Sequence, residues 1–233
     1  DVGSRGNGHG PFWGGYDLRV STYWLLRAFI LLALGLVVAS PAQAAPPDRL
    51  TSLTVSVWLE YDRPGALYIY RGQLASGTPL PAQIRFRLPA QPSSTAGIDS
   101  TGQYRYIRPV LTQDGDTVVT SYDIQWPEFQ LEYYADAIQR QGPGRTLHLV
   151  YRADYAVEQL VLEIKEPFAA TNVSLEPADD SRSQAEDGLL VHRRTIGPVA
   201  AGQEVIPLHR RLSATNPVVT GRVVHLDPHM AWQ

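Results

Sequence analysis

The chain predicts an all-β fold: an antiparallel β-sandwich, immunoglobulin- or fibronectin-like in outline, preceded by a hydrophobic signal or anchor helix. Three observations carry this. From about residue 53 onward, short segments alternate apolar and polar residues, the period-two signature of half-buried strands. Turn chemistry built on Gly, Pro and Asp separates them at intervals of roughly 8–15 residues, giving about nine to eleven strands. No amphipathic helical pattern of about ten residues breaks the series.

The first strand alternates Leu53, Val55, Val57 and Leu59 on one face. Asp62-Arg63-Pro64-Gly65 follows with turn chemistry, Pro presetting φ and Gly accepting positive φ. A second strand runs from Ala66, and Gly77-Thr78-Pro79-Leu80-Pro81 ends it. The third places Ile84, Phe86 and Leu88 inward and Arg85 and Arg87 outward. Residues 89–102, rich in Pro, Ser, Thr and Gly, read as a flexible insert. Residues 104–111 and 117–124 read as strands joined at Asp114-Gly115-Asp116, a strong hairpin signal. Residues 129–134 form a further strand and 136–140 a single helical turn. Leu147, Leu149 and Tyr151 alternate, as do Val157, Leu160, Leu162 and Ile164 with a bulge between the first two. Val173 and Leu175 mark a short strand, residues 179–187 an acidic loop, and residues 188–196 and 204–212 complete the set, with 218–226 as a last candidate.

The N-terminal region gives an address. Residues 20–44, with Arg19 just before them, show a basic lead (Arg19, Arg27), an apolar core over 28–39 and the small-x-small site Ala42-Gln43-Ala44, the three parts of a secretory signal. The apolar core is shorter than the about 20 residues that a spanning helix needs. The alternative is a retained anchor contacting the membrane from Trp24 to Ala39, with Arg27 inside the span. Residues 1–19 are Gly-rich and read as a disordered or non-native extension, with translation expected to start near Val20. Residues 45–51 read as a linker, 52–213 as the sandwich, and 214–233 as a C-terminal strand or tail.

Composition narrows the function. The 233-residue chain contains no Cys, which excludes acylation of a Cys at the signal, disulfides and thiolate metal ligands. A net charge of −3 argues against a nucleic-acid partner. Lys165 is the single Lys; the basic residues are otherwise Arg, a composition that suggests a high-GC bacterial source.

Leu59-Glu60-Tyr61-Asp62-Arg63-Pro64-Gly65, Thr78-Pro79-Leu80-Pro81-Ala82 and Phe129-Gln130-Leu131-Glu132-Tyr133-Tyr134 resemble uncharacterised exported β-sandwich proteins of Chloroflexota-type bacteria, over about residues 50–215. The turn Gly197-Pro198-Val199-Ala200-Ala201-Gly202-Gln203 is similar to the entry into the final strand of bacterial immunoglobulin-like modules. The first resemblance implies an exported sandwich, often continued into a membrane helix and a small cytoplasmic tail; on that resemblance, either the chain departs from the pattern or it is truncated and the corresponding segment lies beyond Gln233. It carries no activity over.

No catalytic motif stands out: there is no Gly-x-Ser-x-Gly and no Ser-x-x-Lys, and no cofactor is expected. Asp114-Gly115-Asp116 lacks the further carboxylates of a Ca²⁺ site and reads as a turn. His225-x-Asp227-x-His229 has metal-like content but lies beside Pro228 in the tail, and no metal is expected there. Asn172-Val173-Ser174 matches a glycosylation acceptor. His192 and His209 each precede an Arg pair, Arg193-Arg194 and Arg210-Arg211; neighbouring strands would merge the pairs into a basic patch for an anionic glycan, headgroup or acidic partner. Solvated outward faces balanced by carboxylates are the plainer reading. Trp58, Tyr61 and Trp126 lead the aromatics, which serve either as rim and core or as a sugar-stacking platform. The expected function is therefore a non-enzymatic extracytoplasmic module for a protein or cell-envelope partner. A carbohydrate-binding module is the alternative, and an enzyme with an unrecognised site the third.

Overall fold

The computed structural model describes residue 10 and residues 44–214, except 143 and 169. The chain divides into two units, Asp1–Gln43 and Ala44–Gln233, and the second is the subject below. The signal or anchor stretch up to residue 43 lies outside the described residues, as do the tail from 215 and its His225, Asp227 and His229.

Every regular element among the described residues is a strand. The first four are β1 (Arg49–Leu59), β2 (Ala66–Leu74), β3 (Ala82–Leu88) and β4 (Pro92–Ile98). Then come β5 (Tyr104–Tyr106), β6 (Val110–Asp114), β7 (Thr117–Ile124) and β8 (Glu128–Ala135). After these follow β9 (Ile138–Gln141), β10 (Gly144–Arg152), β11 (Ala156–Lys165) and β12 (Ala170–Glu176). The last are β13 (Ser181–Gln184), β14 (Leu190–Ile196) and β15 (Glu204–Ala214). They form an eight-stranded sheet ordered β13-β14-β11-β1-β2-β8-β4-β5, a four-stranded sheet β12-β15-β10-β9 and a three-stranded sheet β3-β7-β6.

The alternation read from the sequence is what builds the core. Leu53, Val55, Val57 and Leu59 are buried, and so are Ile84, Phe86 and Leu88, with Arg85 and Arg87 exposed between them. Aromatic rings tie the three sheets together. Phe86 of β3 meets Tyr70 of β2 at 5.4 Å and Phe129 of β8 at 5.8 Å between ring centroids. Tyr70 in turn meets Tyr151 of β10 at 6.0 Å. Gly72 in β2 is required by this packing: a Cβ there would lie 2.3 Å from the Phe129 ring.

Several expectations are corrected. The large sheet is not wholly antiparallel, because β1 pairs β11 in parallel; periodicity fixes which face is buried but not which distant strand lies alongside. The 89–102 insert contains β4, whose Thr95, Ala96, Gly97 and Ile98 are buried. Its small residues let other side chains cover it, which removes the apolar signal. Residues 104–111 divide into β5 and β6 of different sheets, separated at Arg108-Pro109. The expected helical turn holds β9, and the acidic loop holds β13. The 45–51 linker is partly strand: Gln83 donates its backbone N–H to the Ala45 carbonyl at 3.0 Å, Pro47 is buried and β1 begins at Arg49. The register slip lies in β1 against β2, between Leu50 and Ser52. Leu50 pairs with Val157 and Leu53 with Leu160, so β11 shows the same displaced apolar pair. Asp114-Gly115-Asp116 is the hairpin turn expected, with Gly115 at φ 60° and no positive φ at Asp116, the II′ pattern.

Candidate functional site

Trp58 sits at the end of β1, where it pairs with Lys165 of β11. Tyr61 follows in the β1–β2 turn, and the two rings meet edge to face, 4.7 Å apart at 68°. The Lys165 ammonium lies 4.0 Å from the Trp58 ring centroid and 4.9 Å from that of Tyr61, and 2.6 Å from an Asp187 carboxylate oxygen. Lys165 is only 5% exposed. The aromatic pair is therefore a cation–π seat filled by the chain's own lysine, not a flat platform for a sugar. Burial, then Asp187 and Asp62, push the Tyr61 hydroxyl above its usual range.

The rest of that turn is equally tied down. Glu60 adopts φ 45° and accepts hydrogen bonds from Arg140 at 3.0 Å and Arg145 at 3.1 Å. Tyr134 donates to Asp62 at 2.8 Å, and the Arg63 guanidinium lies 3.1 Å over the Tyr134 ring. Each charged group in residues 60–63 thus already has a partner.

Trp126 is elsewhere. It precedes β8, whose Glu128 pairs with Gln73, itself opposite Ser52 at the start of β1, so Trp126 and Trp58 belong to opposite ends of the sheet. Trp126 packs over Gly97 of β4, where a Cβ would lie 2.9 Å from its ring. It serves packing there and shares no surface with Trp58 and Tyr61.

The two Arg pairs do not merge by strand pairing. Arg193 and Arg194 lie in β14 of the eight-stranded sheet, and Arg210 and Arg211 in β15 of the four-stranded sheet. The seven residues between those strands carry the chain from one sheet to the other, which sequence periodicity does not register. The Arg210 and Arg211 side chains lie outside the described residues. Arg193 binds Glu163 at 2.5 Å, and Glu163 also accepts from Ser56 at 2.6 Å. Arg194 donates to the Ala178 carbonyl at 3.4 Å. His192 is not on a solvated face but 3% exposed. Its Nε2 faces Glu166 at 2.6 Å and its Nδ1 faces Asp179 at 3.1 Å. Arg182 completes the chain at 2.5 Å; this guanidinium, opposed in part by burial and aided by His192, holds the Asp179 carboxyl well below the usual range. Both ring nitrogens are engaged, so this arrangement fixes the β13–β14 hairpin to β11.

The feature that the sequence reading passed over is an open apolar rim. A groove of about 500 Å³ runs between residues 92–95 and residues 106–109, and the chain continues from Pro109 into β6. Tyr106 is 61% exposed and Val110 67%, with Leu111 also exposed. All five residues of β6 are exposed, and β6 is the last strand of its sheet. Among the described residues no hydrogen bond caps its outer edge. The opposite edge of the same sheet is guarded: β3 donates its alternate backbone N–H groups, Gln83 to the Ala45 carbonyl, Arg85 to the Tyr155 hydroxyl at 2.6 Å and Arg87 to the Asp154 carboxylate at 3.3 Å. The available signal was Val110-Leu111, two adjacent apolar residues just after Pro109 and just before a hairpin turn.

No protein-family model and no curated protein matches the chain. Among solved structures, the chain is similar to one described as "a putative protease" from Parabacteroides distasonis, with a TM-score of 0.39 and 10% identity. The similarity covers 75% of this chain and 41% of that one.

Proposed function

We propose that the chain is an extracytoplasmic, non-enzymatic β-sandwich module, immunoglobulin-like in outline, that binds a protein or cell-envelope partner by adding the partner's strand to the edge of β6. The observation that carries this reading is the unequal treatment of two edges in one sheet. Exposed strand edges invite pairing with another chain and are usually blunted. Here β3 is blunted by three protein acceptors, while β6 is left open beside exposed Tyr106, Val110 and Leu111. Strand addition draws affinity from main-chain hydrogen bonds and specificity from flanking pockets, and the 92–95/106–109 groove is such a pocket. The sandwich reading is supported by a single aromatic-rich core supplied by all three sheets. The extracytoplasmic address rests on the signal-like segment of residues 20–44.

In a two-residue hairpin the paired residues alternate, so Leu111 and Gln113 aim their backbone groups at the free edge. A photo-crosslinking amino acid placed at Gln113 should trap the partner in cells of the source, the same group at Arg85 should not, and Leu111→Pro should abolish the adduct. Equal adducts from both edges would overturn the edge reading. A glycan-array signal that Leu111→Pro leaves unchanged would favour the carbohydrate-binding alternative.

A further inference from the structure

We infer that the partner segment lies antiparallel to β6, with an acidic residue at its C-terminal end that meets the Arg108 guanidinium and a basic residue at its N-terminal end that meets Asp114 and Asp116. This deepens the strand-addition reading and rests on it. The open edge is uncharged from Pro109 to Gln113, with a cation, Arg108, before it and two carboxylates, Asp114 and Asp116, after it. All three charged residues are exposed. The edge therefore has a positive end and a negative end, and a strand laid along it meets both.

At the positive end, Arg108 is the single charged residue lining the groove. Among the described residues its guanidinium has no hydrogen bond or ion pair. The nearby hydroxyls are spent: Ser93 donates to the Glu132 carbonyl at 3.2 Å, and Thr95 to the Ile107 carbonyl. The neighbouring Arg105 is bound to Asp99 at 2.7 Å and to Gln103 at 3.1 Å. An incoming carboxylate thus finds an unspent guanidinium, whose planar fork matches it, and no lining carboxylate to repel it. At the negative end, Arg87 reaches Asp114 only at 4.0 Å and lies nearer Asp154, at 3.5 Å. The Asp116 side chain has no partner among the described residues. Direction follows from the ladder. β6 already pairs antiparallel with β7, and antiparallel pairing is the more stable per residue. An antiparallel partner has its C-terminal end beside Val110 and hence beside Arg108. Complementary charges of this kind fix register and orientation rather than raw affinity.

The test uses two labelled peptides of identical composition, acetyl-Lys-Thr-Val-Thr-Val-Thr-Val-Thr-Glu-amide and its charge-swapped form, acetyl-Glu-Thr-Val-Thr-Val-Thr-Val-Thr-Lys-amide. Binding to the full chain is followed by fluorescence polarisation. The first peptide should bind about fivefold more tightly at low ionic strength, and the preference should shrink as salt is added, because exposed charges are screened. Arg108→Glu should abolish or reverse the preference, and Leu111→Pro should remove binding of both peptides. Equal affinities, tighter binding of the swapped peptide, or a preference that Arg108→Glu leaves unchanged would overturn the charge-directed orientation while strand addition stands. Failure of both peptides to bind the unmutated chain would overturn both.

Discussion

Glu132 and Asp99 are both carboxylates, yet they answer pH in opposite directions. Burial raises the folded-state titration of Glu132 above its unfolded value, so its contribution to stability is present at low pH and is lost as pH rises through the folded midpoint. Asp99 accepts hydrogen bonds from the Thr101 hydroxyl at 2.6 Å and the Gln103 backbone at 3.0 Å, and it pairs with Arg105. Its carboxyl lies well below the usual range, Thr101 being the largest cause; its contribution is present above the unfolded value and lost as pH falls. Glu132→Gln should therefore melt above the unmutated protein at pH 7 and approach it at pH 4, as measured by calorimetry at both values. A gap that widens on acidification would contradict this sign. Thr120 belongs to the same scale. Among the described residues its buried hydroxyl has no hydrogen-bond partner, and leaving such a group unsatisfied costs about 1–3 kcal/mol. Thr120→Val keeps the shape and should raise stability by up to about 1 kcal/mol in urea unfolding; a loss of stability would mean that the hydroxyl is satisfied by water. The aromatic residues show how far single residues could be read from sequence. Trp58 and Tyr61 were recognisable as a rim pair, but their role depends on Lys165, more than a hundred positions away. Only the parallel register of β1 and β11 places that cation between them.

The two edges of the three-stranded sheet make the same point for whole elements. β3 was legible because Ile84, Phe86 and Leu88 alternate without a break; its guard was not, since Tyr155 and Asp154 arrive from the β10–β11 connection. Tyr155→Phe removes the acceptor for the Arg85 N–H while keeping the ring that packs on Phe86 at 5.4 Å. It should cost about 1 kcal/mol and leave a second edge partly uncovered, so light scattering on concentrated samples should rise faster than for the unmutated protein. No change in either measurement would show that the hydroxyl plays no guarding role. Leu111→Pro, on the open edge, should change the unfolding midpoint little, because edge strands tolerate proline. β4 was illegible for a different reason. Its buried half reads Thr-Ala-Gly-Ile, with the space above Gly97 filled by Trp126 from another element. A strand packed by its neighbours' side chains leaves little apolar pattern of its own. β6 was read as the tail of a longer strand because the break at Pro109 changes sheets rather than ending the extended chain.

For the molecule as a whole, a core that draws on every sheet should unfold as a unit. Phe86 is fully buried and touches rings from β2, β8 and the β10–β11 connection. Phe86→Ala should cost about 3–5 kcal/mol, with circular dichroism and tryptophan fluorescence still reporting one coincident transition. Separate transitions would show that the sheets melt independently. The all-β class was legible because alternation is local; the parallel pairing and the allocation of strands to three sheets depend on contacts between distant segments. Ser56 of β1 donates to Glu163 of β11 across 107 positions. This has a consequence for the order in which the protein is made. Among the described strands β1 is the first to be synthesised, yet one whole side of it stays without a neighbour until β11 has been made. During that interval an apolar strand from the middle of the finished sheet behaves as a free edge, so a chaperone bound to the nascent chain would protect most by covering β1.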